Sequence, residues 1–124
     1  MHTILQHSRK QEITFYASGR IDISSRIVRI LSLRAGDSVN LIEDDDGNLL
    51  LFRCHDADDS HGIRHKATLY QSSVNARSLR CNSVDLTSHV LSRCGCPIMA
   101  KLPVGQTVIV PPFGLCLNII IMTP

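Results

Sequence analysis

The amino-acid sequence predicts a mainly β fold: a small barrel-like domain carrying two short helices. Three observations lead there. Short runs of β-branched or alternating apolar residues recur along the chain, separated by turn signals such as Ser18-Gly19 and Asp46-Gly47. Two brief stretches, one in each half, place apolar residues at helical spacing. With three Phe, two Tyr and no Trp in 124 residues, the core has to be built from Ile, Leu and Val.

The elements follow in order. Glu12 to Ala17 reads as a strand, and Ser18-Gly19 as the turn that ends it, since Gly takes positive φ without a steric penalty. Arg20-Ile21-Asp22-Ile23 alternates charged and apolar residues, the pattern of a half-exposed strand. Ser24 or Ser25 is placed to cap a helix over residues 26–33. There Ile27, Ile30 and Leu31 form one apolar stripe, with Arg26 and Arg29 off it. Gly36 suits the turn out of that helix. Val39 to Glu43 and Leu49 to Arg53 then read as a hairpin around Asp45-Asp46-Gly47-Asn48, because Asp-Gly satisfies the positive-φ turns that join twisted strands. The order is β-β-α-β-β.

A polar loop at residues 55–65 divides a single compact domain (residues 1–124) into a first half, 12–54, and a second, more diverged half, 66–124. The second half gives strands at Thr68 to Tyr70 and Ser78 to Cys81, then a helix from Val84 to about Ser92 ended by Gly95. Three short strands follow at Pro97 to Leu102, Thr107 to Val110 and Leu115 to Met122. Ile30-Leu31-Ser32 matches Val90-Leu91-Ser92, and Gly36 matches Gly95 at a different spacing. The repeat needs a gap, so duplication and coincidence among short elements both stand. The expected core is Ile27, Ile30, Leu31, Leu33, Val39, Leu41, Leu49, Leu51, Ile109, Leu117, Ile119 and Ile121.

Composition narrows the function classes. Hydrophobic residues are 44% and charged residues 19%, a globular balance and not a disordered one. The longest apolar stretch, Leu115 to Met122, is too short to span a bilayer. No basic leader precedes an apolar run, and five cysteines then suggest reduced thiols in a cytoplasmic protein. The formal net charge is only +2, but it is unevenly spread. Arg9, Lys10, Arg20, Arg26, Arg29 and Arg34 outnumber Glu12 and Asp22 in the first stretch. Asp37, Glu43 to Asp46, Asp56, Asp58 and Asp59 then face Arg53 alone. From residue 60 onward six basic residues stand against Asp85. If the basic segments share a face, that face suits a polyanion, and the acidic tip at Glu43 to Asp46 has to point elsewhere.

Catalytic and cofactor signatures do not emerge. The chain lacks G-x-S-x-G, G-x-x-x-x-G-K-[ST] and G-x-G-x-x-G, and no Gly precedes a Ser, which excludes a self-cleaving pyruvoyl decarboxylase. Cys54, His55, His61 and His65 lack the paired short spacing of a structural zinc site and read as part of a polar loop; Cys94-Gly95-Cys96 is too close for a knuckle. Neither an enzyme nor a metal or cofactor is expected.

From Ser18 to Arg53 the chain resembles the swapped-hairpin domain of AbrB, SpoVT and MazE-type antitoxins. The likeness rests on Gly19-Arg20-Ile21-Asp22-Ile23, on Ile27-Val28-Arg29-Ile30-Leu31, on Leu33-Arg34-Ala35-Gly36-Asp37-Ser38-Val39 and on Asp46-Gly47-Asn48-Leu49-Leu50-Leu51. No single piece is specific, and the ordered combination carries the resemblance. Ser24 stands where that family usually has Pro, and the second half lacks both the Gly-Arg and the Leu-x-x-Gly-Asp pieces. The resemblance implies a swapped-hairpin, double-psi-like barrel built by interleaved chains, hence a homo-oligomer. Tandem relatives of the MraZ kind place two such units in one chain. It also implies double-stranded DNA as partner and Arg20, Arg26 and Arg29 as the contacts, in a transcriptional regulator or antitoxin-like protein. The competing expectation is a protein-interaction or assembly module on the same fold, in which these arginines serve salt bridges.

Overall fold

The computed structural model describes residues 12–54, 67–71, 77–111 and 113–122. The whole of the polar loop expected at 55–65, with His55, His61 and His65, lies outside them. The chain is mainly β. Its elements are β1 (Glu12–Tyr16), β2 (Arg20–Ile23), α1 (Ser25–Ile30), β3 (Ser38–Glu43), β4 (Leu49–Cys54), β5 (Ala67–Thr68), β6 (Tyr70–Gln71), β7 (Leu79–Asn82), α2 (Val84–Cys94), β8 (Met99–Val110) and β9 (Gly114–Ile119). All strand pairings are antiparallel, in the order β5-β3-β4-β9-β8-β1-β2-β7-β6.

The two ends of that order nearly meet. β5 and β6 flank the single buried residue Leu69, so one short segment pairs with β3 on one side and β7 on the other. Leu69 itself donates to the Asp37 carbonyl and accepts from the Gly36 amide, both at 2.8 Å. The result is a nearly closed, barrel-like sheet. Its interior is one cluster fed by both halves: Ile21 and Ile23 from β2, Val39 and Leu41 from β3, Leu79 and Cys81 from β7, Leu117 and Ile119 from β9. The alternation read in Arg20 to Ile23 is the physical reason, because a period of two puts both isoleucines inside and both charges outside.

Several local expectations are corrected. The strands expected at Pro97 to Leu102 and Thr107 to Val110 are one continuous strand, β8. Its first part pairs with β1 as far as Pro103, and its second part pairs with β9 after a register shift between Val104 and Thr107. Among the described residues Pro103 is the last of β8 to stand opposite β1, and its carbonyl accepts from Ile120 N at 3.0 Å. β9 stops at Ile119, short of Met122. Of the expected core, Ile109 is 73% exposed, while Ile30 and Ile121 are only partly buried. α1 ends at Ile30, not residue 33. Ser24 sits at its N-cap, but its hydroxyl accepts no helix N–H; Ser83 before α2 does, from Leu86 N at 3.1 Å.

The pairings have an internal symmetry. Exchanging the two halves turns β1–β2 into β6–β7, β3–β4 into β8–β9, and β1–β8 into the pairing of the β5–β6 segment with β3. The pairs β2–β7 and β4–β9 map onto themselves, centred on Asp22 opposite Arg80 and Leu51 opposite Leu117. Both helices also end alike. Leu33 N reaches Val28 O and Ser32 N reaches Arg29 O, as Cys96 N reaches Leu91 O and Gly95 N reaches Ser92 O. Ser32 therefore corresponds to Gly95, and the tripeptide match read in the sequence is out of register with this correspondence.

Candidate nucleic-acid interface

α1 has six residues. It buries Ile27, half-buries Val28 and Ile30, and leaves Arg26 and Arg29 exposed one turn apart. At its end Ser32 takes a left-handed φ of 54°, the only non-glycine to do so among the described residues. A residue with a Cβ is strained there, and the corresponding position after α2 uses Gly95 at 70°. The conformation turns the Ser32 carbonyl toward β4, where it accepts from Arg53 Nη1 at 3.2 Å. Arg53 also lies 3.8 Å from Asp37 Oδ2, and that oxygen accepts the Arg34 backbone N–H at 2.9 Å. Residues 32–37 are thus held as a tight loop with Arg53 fixed across it.

Between this loop, α1 and the edges of β4 and β7 opens a cleft of about 910 Å³. Arg29, Arg34, Arg53 and Arg77 line it, and Asp37 is the one carboxylate among its lining residues. Arg is always charged and presents a planar fork of donors, so four of them around one carboxylate make a site for an anion with several oxygen acceptors. None of Glu43 to Asp46 lines the cleft. Glu43 is instead held by α2, 2.9 Å from Arg93 Nη1 and 3.3 Å from His89 Nε2.

The three arginines singled out in the sequence are not brought together. Arg29 lines the cleft, Arg26 is exposed beside it on α1, and Arg20 starts β2, whose far end leads into α1. Four residues of strand span roughly 10 Å. Arg20 is engaged where it stands: its guanidinium lies 4.1 Å over the Tyr16 ring and 3.3 Å from Asp22 Oδ2. The Tyr16 hydroxyl and, after it, the Asp22 charge raise its pKa further. Asp22 also accepts from Arg80 Nε at 2.7 Å, so a charged ladder runs across β2 and β7.

No known protein family, curated protein or solved structure matches this chain.

Among the described residues no three His, Cys, Asp or Glu side chains gather as metal ligands. Cys81, Cys94, Cys96 and Cys116 are reduced thiols. Burial, aided by the Asp22 charge, pushes the Cys81 thiol up to about 12, and burial raises Cys94 and Cys116 as well, which keeps all three protonated and poorly nucleophilic at neutral pH. Among the described residues no helix is long and apolar enough to cross a membrane.

Sequence reasoning missed Arg34, Arg53 and Arg77 as site residues. Arg34 was visible as part of a basic segment, but Arg53 stood alone in an acidic one. What joins them is the fold-back of residues 32–37 onto the end of β4, a tertiary event with no local signature.

Proposed function

We propose that this protein binds double-stranded DNA through the arginine-lined cleft and the exposed face of α1, as an AbrB-like regulator whose single chain holds both halves of a swapped-hairpin barrel. The observation that carries the reading is the cleft itself: Arg29, Arg34, Arg53 and Arg77 around one carboxylate, with the acidic hairpin tip held on α2. Phosphate contacts supply most of the affinity of such proteins, and arginine supplies them best. Arg26 and Arg29 are the leading contacts. Arg20 reaches DNA only by giving up Asp22.

The exchange symmetry of the pairings supports the swapped-hairpin part of the reading. In the resembled family a second chain completes the barrel; here the second half supplies β7 against β2 and β9 against β4. Oligomerisation is then not needed to finish the fold. The test is capture of genomic fragments on the immobilised protein, followed by sequencing. Wild type retains DNA, and the Arg29→Ala/Arg34→Ala variant retains far less at the same salt; retention no better than bare resin for wild type would remove the proposal. A second reading, an assembly module without DNA binding, draws on the Arg20–Asp22–Arg80 ladder, where arginines already serve ion pairs.

A further inference from the structure

The cleft beside α1 is built of two kinds of surface. Leu33 and Leu79, both nearly buried, and the half-buried Val28 form an apolar floor, while the exposed Arg29 and Arg34 stand at the rim. Arg53 is fixed in place, its Nη1 donating to the Ser32 carbonyl at 3.2 Å and lying 3.8 Å from Asp37 Oδ2. The cleft holds about 910 Å³, within the range of pockets that enclose a small molecule. A DNA backbone brings phosphates to the rim and nothing to the floor, because charged oxygens gain nothing from aliphatic carbon.

We propose that the cleft is also a small-molecule site for a nucleoside polyphosphate, whose phosphates take the arginine rim and whose base covers Val28, Leu33 and Leu79. Three features fit. Several phosphate oxygens on one ligand match several guanidinium forks, each best satisfied by two acceptors. A planar base has two faces, so one lies on the aliphatic floor while the other stacks under a guanidinium. The lining carries four arginines against Asp37, which favours a ligand of several negative charges over a neutral nucleoside. Inorganic polyphosphate lacks the ring and a free nucleoside lacks the charge, so neither uses both surfaces. Competition between this ligand and DNA rests on the placement of the duplex backbone in the same cleft; binding of the ligand itself does not.

The experiment is isothermal titration of the full chain with ATP, GTP, tripolyphosphate and adenosine at one ionic strength, followed by ATP challenge of protein loaded with duplex DNA. At least one nucleotide should bind about tenfold or more tightly than tripolyphosphate, the gain expected from burying a ring, and adenosine should bind more weakly still. Arg34→Ala should weaken both nucleotide and tripolyphosphate. It keeps the backbone N–H that Asp37 accepts, so its melting temperature should hold. Val28→Thr, nearly the same in shape, should weaken the nucleotide and leave tripolyphosphate as it was. Nucleotides that bind no better than tripolyphosphate, or whose binding survives Arg34→Ala unchanged, overturn the proposal. The duplex arm separates the two readings. Nucleotide binding that needs Arg34, with duplex binding absent or indifferent to ATP, upholds this inference and removes DNA from the cleft; duplex binding without nucleotide binding does the reverse.

Discussion

The two hairpins, β3–β4 and β8–β9, occupy equivalent places in the pairing scheme and meet opposite fates. Leu51 and Leu117 stand opposite each other at the centre of the β4–β9 pair. Counting outward from them, Leu49 and Glu43 of the first hairpin correspond to Leu115 and Ile109 of the second. Leu49 is buried and Glu43 is clasped by His89 and Arg93; Leu115 and Ile109 are exposed. The difference lies in the helices. α2 spans 11 residues, and its last two turns reach the first tip, where Arg93 Nη2 also donates to the Gly47 carbonyl at 2.8 Å. α1 spans six and turns away through Ser32, so its arginines border the cleft instead. Shortening one helix thus frees both a basic surface and an apolar hairpin. The symmetric frame sets where elements lie, and helix length decides which surfaces are left over.

The largest expected effect breaks the comparison at its apolar positions. Leu49→Ala empties a filled site and should cost about 2–5 kcal/mol in denaturant unfolding. Leu115→Ala, at the corresponding exposed site, should cost well under about 1 kcal/mol. Equal losses would mean that the second tip is covered like the first.

A smaller effect is expected at the clasp. Glu43→Ala should lower stability by at most about 1 kcal/mol, because its partners are partly exposed and water screens the pairs. Its counterpart Ile109→Ala should leave monomer stability unchanged. Thermal melts at low and high salt read both, and only the first difference should shrink with salt.

The smallest effect concerns the turns. The Asn48 side-chain amide, with the backbone N–H groups of Asn48 and Asp46, holds the Asp44 carboxyl below its usual range. Its folded pKa is depressed, so its contribution is present above the ordinary carboxylate range and lost as pH falls through the depressed value. Amide exchange at Asp46 and Asn48, relative to the intrinsic rate, should therefore quicken in acid, and Asp44→Asn should flatten that response. The β8–β9 turn has no titrating side chain and should show no such step.

The sequence made some of this legible and hid the rest. The alternation in Arg20 to Ile23 and the Asp-Gly turn announce β2 and the first hairpin because their causes are local. Gly95 ends α2 as read, for the same reason. Ile109 misled, because alternation shows that a residue faces the core side of a strand but not whether the barrel extends that far. The gap expected between Leu102 and Thr107 is absent because the strand changes partners there, from β1 to β9, across a register shift that has no local signal. The cleft was half visible: Arg29 stood out on α1, while Arg53 needed the Ser32 carbonyl and Asp37 to bring it across.

The most direct test of the DNA-binding account is the salt dependence of binding to a captured duplex, for wild type, Arg29→Ala and Arg20→Ala. Wild-type affinity should fall linearly with salt on logarithmic axes. Arg29→Ala should lower that slope by about one unit without changing the melting temperature. Arg20→Ala should leave the slope intact and lower the melting temperature, because it removes the Asp22 and Tyr16 contacts. Absence of binding at low salt, or an equal change of slope in both variants, would contradict the placement of the DNA backbone in the cleft.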